Sequence, residues 1–331
     1  MGEQLTIADI AEALGVSKTT VSRVISGKGR IGNDTRERVL SYIKEHDYKP
    51  NAVAQGLAKS KTYNIGVVMP GEYVLVDMPF FLNCLEGLYQ IASKSGYDIV
   101  WTMCNNNDMA DLERIVHNRK VDGVVLMRTY VEDHAIEFLQ KYKVPFITIG
   151  STAYEHVVQI DQDHAGGCKE LTSILLMKGL KRIALIGGSE EHVVSQTRYQ
   201  GFLEAFQERK LSVISDLIYL NQENTIMIEN VVDKLLKKNT DCIICMDDSI
   251  CESVLKALHK EKISVPEEIK VASFFNSSIL ENYTPSVTSL DFDTKELGMV
   301  ACQTLIDMIR GKTVQERRLL QYKLVLKEST K

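Results

Sequence analysis

Apolar residues in the first part of the chain recur three and four positions apart, which is the spacing of an amphipathic helix. The first run comprises Ile7, Ile10, Ala11 and Leu14. Gly15 interrupts this run, and a second run follows in which Val21 and Val24 face inward. Two short helices joined at a glycine turn are typical of a helix-turn-helix motif.

Polar residues mark the starts of both helices and the outer face of the second. Thr6 and Asp9 form a capping pair for the first helix, and Ser17 can cap the second. The outer face of the second helix carries Lys18, Thr19, Ser22 and Arg23. We therefore predict that this helix enters the major groove of DNA, where Lys18, Thr19 and Arg23 contact base edges. Thr6, Ser17 and Ser22 are further expected DNA contacts.

A third helix is predicted to begin near Asn33 and to complete a small three-helix core. Its inward positions are expected to be Val39, Leu40 and Ile43. Basic residues flank the core, namely Lys28, Arg30, Arg36 and Arg38. Phosphate contact is expected for some of them, and a solvated helix face is the alternative for each.

Beyond Asn64 the pattern changes to apolar runs of strand length separated by amphipathic helices. The runs are Ile65–Met69, Ile99–Thr102, Val124–Met127, Phe146–Ile149, Ile183–Ile186, Leu217–Leu220, Cys242–Met246 and Val271–Phe274. This alternation predicts two similar α/β lobes with parallel sheets. The expected organisation is a helix-turn-helix head over 1–50, a linker over 51–62 and a core over 63–331. The N-lobe is expected to span 63–161 with 290–312, and the C-lobe 162–289 with 313–331.

The cleft between the lobes is the expected ligand site, because ligands of open parallel sheets bind beyond the carboxyl ends of the strands. The candidate residues near those ends are Phe81, Arg128, Asp161, Asp163, Arg198, Asp247, Asp248 and Asn276. Carboxylates and guanidinium groups can each bind two hydroxyls, and an aromatic face stacks on a sugar ring. The cleft is therefore predicted to bind a polyhydroxylated small molecule.

Charge is distributed unevenly along the 331 residues, whose net charge is -5. Residues 1–62 hold 10 basic and 7 acidic side chains, a net of +3, so the remaining residues carry -8. A basic head on an acidic core is consistent with DNA binding by the head. With no membrane-spanning segment, signal peptide or disulfide spacing among the seven cysteines, a cytoplasmic protein with reduced thiols is expected.

Motifs for catalysis or metal binding are not found where such chemistry would need them. The histidines are dispersed, no glycine-rich phosphate loop follows the first strand, and Ser189 lacks a nucleophile elbow. Cys242 and Cys245 have the spacing of a redox or metal pair, but their apolar strand favours two buried thiols. We therefore predict no enzyme activity, cofactor or metal. A glycosidase and a transporter-associated sugar-binding protein are the alternative classes, and the DNA-binding head disfavours the second.

The order of these features resembles the LacI/GalR family of bacterial transcription regulators. The motifs after the helix-turn-helix are Tyr48-x-Pro50-Asn51, Ala54-x-x-Leu57 and Thr62-x-x-Ile65-Gly66-Val67. The resemblance covers essentially the whole chain and implies a periplasmic-binding-protein-like core, a homodimer on palindromic operator DNA and a hinge helix in the linker. It further implies that Leu57 wedges into the minor groove, with Asn51 and Ala54 as additional DNA contacts.

The resemblance also assigns roles in the cleft. In the motif Arg198-Tyr-x-Gly201-Phe202 the arginine binds the effector. Asp248 occupies a position where the family's aspartate often caps a helix, which leaves Asp247 as the better cleft contact. Sugar-responsive relatives have an aspartate where this chain has Phe275, so Asn276 is the expected polar substitute.

Three segments, 77–81, 160–163 and 187–198, are most similar to the maltose-operon regulators of Gram-positive bacteria. This similarity implies a repressor of carbohydrate-utilisation genes whose effector is maltose or another α-glucoside. Control by a non-sugar metabolite or by a phosphorylated carrier protein is the alternative. Glu281 disfavours the carrier, because the branch that binds it would need basic contacts there.

Overall fold

The computed structural model describes residues 5–27, 29–48, 61–71 and 79–331. The chain divides into two compact units, Met1–Thr62 and Tyr63–Lys331. The described part of the first unit is helical, and the second is a two-lobed α/β core. The predicted fold class is confirmed.

The first unit is a three-helix head. Its helices are α1 (Ile7–Leu14), α2 (Lys18–Ser26) and α3 (Asn33–Glu45). Each helix contributes one fully buried aliphatic side chain to a common centre, and these are Ile10, Val21 and Val39. Burial of these side chains holds three short helices that would be marginal in isolation.

The ends of the first two helices are built as predicted. The backbone N–H of Thr6 donates to Asp9 Oδ2 at 2.7 Å, and the N–H of Asp9 donates to Thr6 Oγ1, which completes a capping box. Ser17 Oγ accepts from the N–H of Thr20 at 3.1 Å. Gly15 turns the chain with a φ of 64°, a conformation that glycine adopts without side-chain strain.

The prediction that Leu40 faces inward is wrong, since 47% of this residue is exposed. Val39 is buried and Ile43 packs partly against the head core. Successive helix positions are rotated by about 100°. Val39 and Ile43 therefore share a face, whereas Leu40 lies to one side of it.

The core alternates strands and helices from its first strand onward. Up to the first crossing between lobes the elements are β1 (Asn64–Pro70), α4 (Pro79–Lys94), β2 (Asp98–Cys104), α5 (Ala110–His117), β3 (Gly123–Leu126), α6 (His134–Lys141), β4 (Phe146–Ile149) and β5 (Val158–Gln162). They are followed by α7 (His164–Met177), β6 (Ile183–Ile186), α8 (Val193–Glu208), β7 (Ile218–Tyr219), α9 (Thr225–Leu236), β8 (Cys242–Cys245), α10 (Asp248–Lys260), β9 (Lys270–Ser273), α11 (Ser278–Glu281), β10 (Thr288–Phe292), α12 (Thr294–Ile309), β11 (Arg317–Leu320) and β12 (Tyr322–Val325). Short 3-10 turns cover Ser215–Leu217 and Glu328–Thr330.

Within the described residues the core contains two six-stranded sheets, one for each lobe. The N-lobe sheet has the order β11-β5-β4-β3-β1-β2 and is parallel throughout. The C-lobe sheet has the order β12-β10-β9-β8-β6-β7, with β12 antiparallel to β10. The carboxyl ends of the parallel strands thus collect at one edge of each sheet.

Helices pack on both faces of both sheets, which explains why the central strands β1, β3, β4, β6 and β8 are largely apolar. Ile65, Val67 and Met69 of β1 pack with α4 and α12, whereas Val68 packs with α5 and α6. In the C-lobe, alternate residues of β8 pack with α9 and α10 on one face and with α7 and α8 on the other.

The chain crosses between the lobes at Asp163, Asp293 and Gln321. Asp163 and Asp293 each cap the helix that follows, accepting from the N–H of Gly166 and of Glu296. The sequence predicts that the chain returns to the N-lobe at 290 and to the C-lobe at 313. Both boundaries are wrong, because β10 lies in the C-lobe sheet and β11 in the N-lobe sheet. The reason is that β11 pairs with the edge of β5 before the last crossing, a return that its short sequence does not signal.

Glycines allow the closest helix contact in each lobe. In the N-lobe, Gly87 of α4 meets the carbonyl of Lys295, and Gly298 of α12 meets the carbonyl of Cys84. In the C-lobe, Gly201 of α8 lies against the carbonyl of Ala165 on α7. A β-carbon at any of these glycines would overlap backbone rather than a movable side chain.

We expect Gly298→Ala to lower the free energy of unfolding by about 1–3 kcal/mol, because the added methyl group forces α4 and α12 apart. Chemical denaturation of the full chain measures this change. Ser93→Ala, at an exposed position on α4, serves as the control and should leave stability nearly unchanged. An unfolding midpoint at or above that of the parent protein would show that the helices are not in van der Waals contact there.

Candidate functional site

The head presents the four predicted reading residues on one helix. Lys18, Thr19, Ser22 and Arg23 lie on α2 and are exposed. The aliphatic part of Arg23 passes close to Gly29, where a β-carbon would lie 3.3 Å from Arg23 Cδ. Thr6 and Ser17 cap α1 and α2, so their hydroxyls are already engaged at the helix starts.

The basic residues around the head differ in the contacts that they make. Arg38 Nη2 donates to the carbonyl of Leu14 at 3.0 Å and so satisfies the end of α1. Arg30 is exposed and remains a candidate for phosphate contact. The expected linker contacts Asn51, Ala54 and Leu57 lie outside the described residues.

The core holds a cavity of about 480 Å³ at the carboxyl ends of both sheets. Its size is within the range of about 300–1,000 Å³ that is usual for small-molecule sites. Of the predicted cleft residues, those that line it are Phe81, Arg128, Asp161, Arg198, Asp247 and Asp248. The structure therefore brings together six side chains that are far apart in the sequence.

Arg198 is fixed in the wall of this cavity with only 9% of its surface exposed. Its Nη1 donates to the carbonyl of Met246 at 2.7 Å, and its guanidinium carbon lies 5.9 Å from the ring centre of Phe275. Its buried Nε has no hydrogen-bond partner among the described residues. The guanidinium is thus held in place and retains a donor.

Asp161 and His164 form a buried polar pair beside this arginine. Asp161 Oδ2 accepts from the N–H and the hydroxyl of Ser151, both at 2.8 Å. Burial raises the pKa of Asp161, while the hydrogen bonds and Arg198 oppose that shift. Burial, with a further contribution from Arg198, lowers the pKa of His164 well below its usual value. The 3.6 Å approach of His164 Nε2 to Asp161 Oδ1 is therefore a contact with a neutral imidazole rather than an ion pair.

Both aspartates after β8 line the cavity, but the helix cap that the resemblance implies for Asp248 is Asp247. Asp247 caps α10, accepting from the N–H of Ile250 at 2.8 Å. Asp248 is the first residue of the helix and is 9% exposed. Burial and the neighbouring charge of Asp247 raise the pKa of Asp248 to about 6, against an opposing hydrogen bond from Ser277.

Asp163 and Asn276 are not among the described residues that line the cavity. The carboxylate of Asp163 is directed to the start of α7, where it caps the helix. The backbone N–H of Asn276 donates to the carbonyl of Leu290, and Phe275 takes the place on the cavity wall. Both residues follow a strand end, but that position in the sequence does not determine which of several adjacent side chains points into the cavity.

Sequence reasoning missed several lining residues, above all His164, His192, Tyr130 and Phe80. His192 lies in the loop after β6, within a segment that the resemblance had marked without assigning the histidine. Phe80 contacts Phe275 of the other lobe edge-on, with ring centres 5.8 Å apart. The sequence feature that could have indicated this role is the position of Phe80 next to Phe81.

A short backbone bridge joins the two lobes at the edge of the cavity, and we call it the strap. It comprises residues 129–131 of the N-lobe and 191–193 of the C-lobe. The N–H of Val131 donates to the carbonyl of Glu191 at 2.9 Å, and the N–H of Val193 donates to that of Thr129 at 3.2 Å. These two hydrogen bonds join the lobes as an antiparallel β-bridge.

Side chains add to the strap. Arg128 Nη1 donates to His192 Nδ1 at 2.9 Å, so the imidazole proton lies on Nε2. The ring of His192 also meets that of Tyr130 at 5.3 Å between centres. Burial and the charge of Arg128 lower the pKa of His192 to about 3, which keeps the ring neutral and able to accept.

No group of three or more His, Cys, Asp or Glu side chains among the described residues could hold a metal ion. In the same part of the chain, no helix combines the length and apolarity needed to cross a bilayer.

Comparison with known proteins identifies the class. Residues 6–51 match the family of bacterial regulatory proteins called lacI, and residues 172–330 match a periplasmic binding protein-like domain. The chain is 30% identical over 336 residues to the HTH-type transcriptional regulator MalR of Streptococcus pneumoniae, covering 98% of this chain and 99% of that relative. The protein therefore belongs to the lacI family. Like the regulators it matches, it is a transcription regulator and not an enzyme.

Solved structures agree with this assignment. The transcriptional regulator CelR–cellobiose complex matches with a TM-score of 0.76 at 27% identity, over 98% of this chain and 99% of that one. The lac repressor dimer bound to operator and the anti-inducer ONPF shares the fold with a TM-score of 0.82 at 22% identity, over 99% of both chains.

The raised pKa of Asp248 gives a pH-dependent prediction. Its carboxylate is penalised in the folded state, so the penalty is full above the folded pKa of about 6 and disappears below the ordinary value of 3.8. Asp248→Asn should therefore stabilise the protein by about 1–3 kcal/mol near pH 7.5, with the gain fading towards pH 4. Thermal unfolding across this range measures the difference.

Asp98→Asn, which removes an exposed carboxylate at the start of β2, controls for the change in net charge. A gain for Asp248→Asn that is the same at every pH, or a loss of stability near neutral pH, would contradict the argument.

Proposed function

We propose that the protein is a homodimeric repressor of carbohydrate-utilisation genes that binds a palindromic operator through α2. A neutral polyhydroxylated effector, maltose or another α-glucoside, binds between the lobes and controls operator binding. The observation that carries the effector assignment is the cavity around Arg198. There, a fixed guanidinium, buried carboxylates and three phenylalanine rings line one cavity.

The chemistry of the cavity supports a sugar over a charged metabolite. Two guanidinium groups, of Arg128 and Arg198, line the cavity together with five carboxyl groups, those of Asp161, Glu191, Glu223, Asp247 and Asp248. No cationic excess exists among these groups to neutralise a phosphate. Alternating donors and acceptors beside an aromatic face are suited to hydroxyl groups on a ring.

The same arrangement suggests how an effector is coupled to DNA. Phe81 and Asp161 belong to the N-lobe, whereas Arg198 and Phe275 belong to the C-lobe, so a ligand that contacts all four favours closed lobes. The strap lies at the edge of the same cavity and joins the same two lobes, so it also favours the closed arrangement. Because the N-lobe follows the linker directly in the chain, a shift of one lobe against the other would alter the spacing of the two heads in a dimer.

The surface of the N-lobe supports the dimer. Leu82 and Tyr89 on α4 and Trp101 and Met103 on the edge strand β2 are large apolar side chains with 38–59% of their surface exposed. An exposed apolar group beside an unpaired strand edge favours association with another chain. We assign this face to the partner copy, whose twofold symmetry would match the two halves of the operator.

Arg198→Gln should abolish effector binding while leaving operator binding intact. A sugar at 100 times its dissociation constant stabilises the native protein by about 2.7 kcal/mol, which a thermal-shift series with maltose, sucrose, trehalose and phosphorylated sugars detects. Arg209→Gln, at the exposed end of the same helix, is the control and should respond like the parent. A full response by the Arg198→Gln variant would remove the cavity from the mechanism.

Arg23→Ala should relax base preference at one position of each half-site by about 1–3 kcal/mol. Selection of binding sequences from a random duplex library, followed by affinity measurements on single-base variants, gives this number. Lys44→Ala, exposed on α3, should leave the preferred sequence unchanged. Identical preferences for the Arg23→Ala variant and the parent would exclude Arg23 from the reading face.

A further inference from the structure

The cavity is longer than one sugar ring requires. Loops after β9, β8, β6 and β7 all contribute to its lining, at Phe275, Met246, Gly188 and Gln222. These strands are successive neighbours in the C-lobe sheet. Three inter-strand steps of about 4.8 Å make a span of roughly 14 Å along the sheet edge, which exceeds a single pyranose ring.

The two ends of this span are built differently. The inner end lies where the lobes meet and contains Asp161, Arg198 and Phe275. At the other end the lining residues come from the loop after β7 and from the N-terminal turns of α9 and α10 in the C-lobe, and we call this set the outer arm.

Building on the proposed function, we propose that the outer arm is a subsite for additional sugar units. The effector is then a linear oligosaccharide that binds more tightly when it is long enough to fill the arm. One ring occupies the inner end against Phe275 and Arg198. The chain then passes Asp247 and continues into the arm, so a trisaccharide fills the cavity better than a disaccharide.

The lining of the outer arm has the chemistry of such a subsite. Ile228 and Ile250 line it with 3% and 5% of their surface exposed and offer firm apolar surface to the C–H face of a ring. Thr225 and Ser253 supply hydroxyls, and the amide of Gln222 lies in the adjoining loop. Glu223 is the charged residue of that loop, which disfavours an anionic extension of the ligand.

The arm predicts that affinity rises with chain length. Calorimetric titration of the full chain with glucose, maltose, maltotriose and maltotetraose should show a gain on the order of tenfold from maltose to maltotriose. Thr225→Trp places an indole in the arm and should remove that gain, while maltose binding stays within about twofold of the parent. Ile226→Trp, the next residue and 73% exposed, does not line the cavity and is the matched control.

A second variant, Glu223→Trp, obstructs the arm from the neighbouring loop and should reproduce the effect of Thr225→Trp. Maltose binding that needs Arg198 but does not strengthen with length would overturn the arm and leave the proposed function standing. Parent-like binding of maltotriose by both blocked variants would also overturn it. If none of the sugars binds, the arm and the sugar effector both fail.

Discussion

Burial of both faces of two largely parallel sheets is the constraint on which the core depends. Because helices cover those faces, the central strands are largely apolar, and most of the charged groups of the cavity lie at the strand ends. The chain crosses between the lobes at Asp163, Asp293 and Gln321, which sets the two rows of strand ends against one cavity. Close helix contacts at Gly87, Gly298 and Gly201 maintain the layers that make this possible.

Low solvation is the common cause of the electrostatics in the cavity. It raises the pKa values of Asp161 and Asp248 and lowers those of His164 and His192. The histidines are consequently neutral, so the fixed positive charge comes from the arginines. The guanidinium of Arg198 is buried and keeps one hydrogen-bond donor with no partner among the described residues. Leaving a buried donor unpaired costs free energy, so any group that accepts this hydrogen would stabilise the site.

Periodicity was sufficient for the head, the strand runs and the two-lobed plan, since these depend on patterns that extend over many residues. It failed where one residue decides the outcome. Asp247 rather than Asp248 caps α10, because β8 ends at Cys245 and the helix begins at Asp248, one position earlier than a cap at Asp248 would require. His164 and His192 carried no motif, and their roles come from partners distant in sequence, such as Arg128. Tertiary contacts of this kind have no local signal.

The main-chain atoms of the strap join the two lobes, whereas side chains form most of the lining of the cavity. These are different parts of the molecule. Its two central hydrogen bonds join main-chain atoms of residues 129–131 and 191–193, so they do not depend on which side chains occupy those positions. The lining residues of the cavity can therefore change without altering the hydrogen bonds that close it. A protein built in this way can change the ligand that its cavity accepts during evolution while the main-chain contact between its lobes is inherited unchanged.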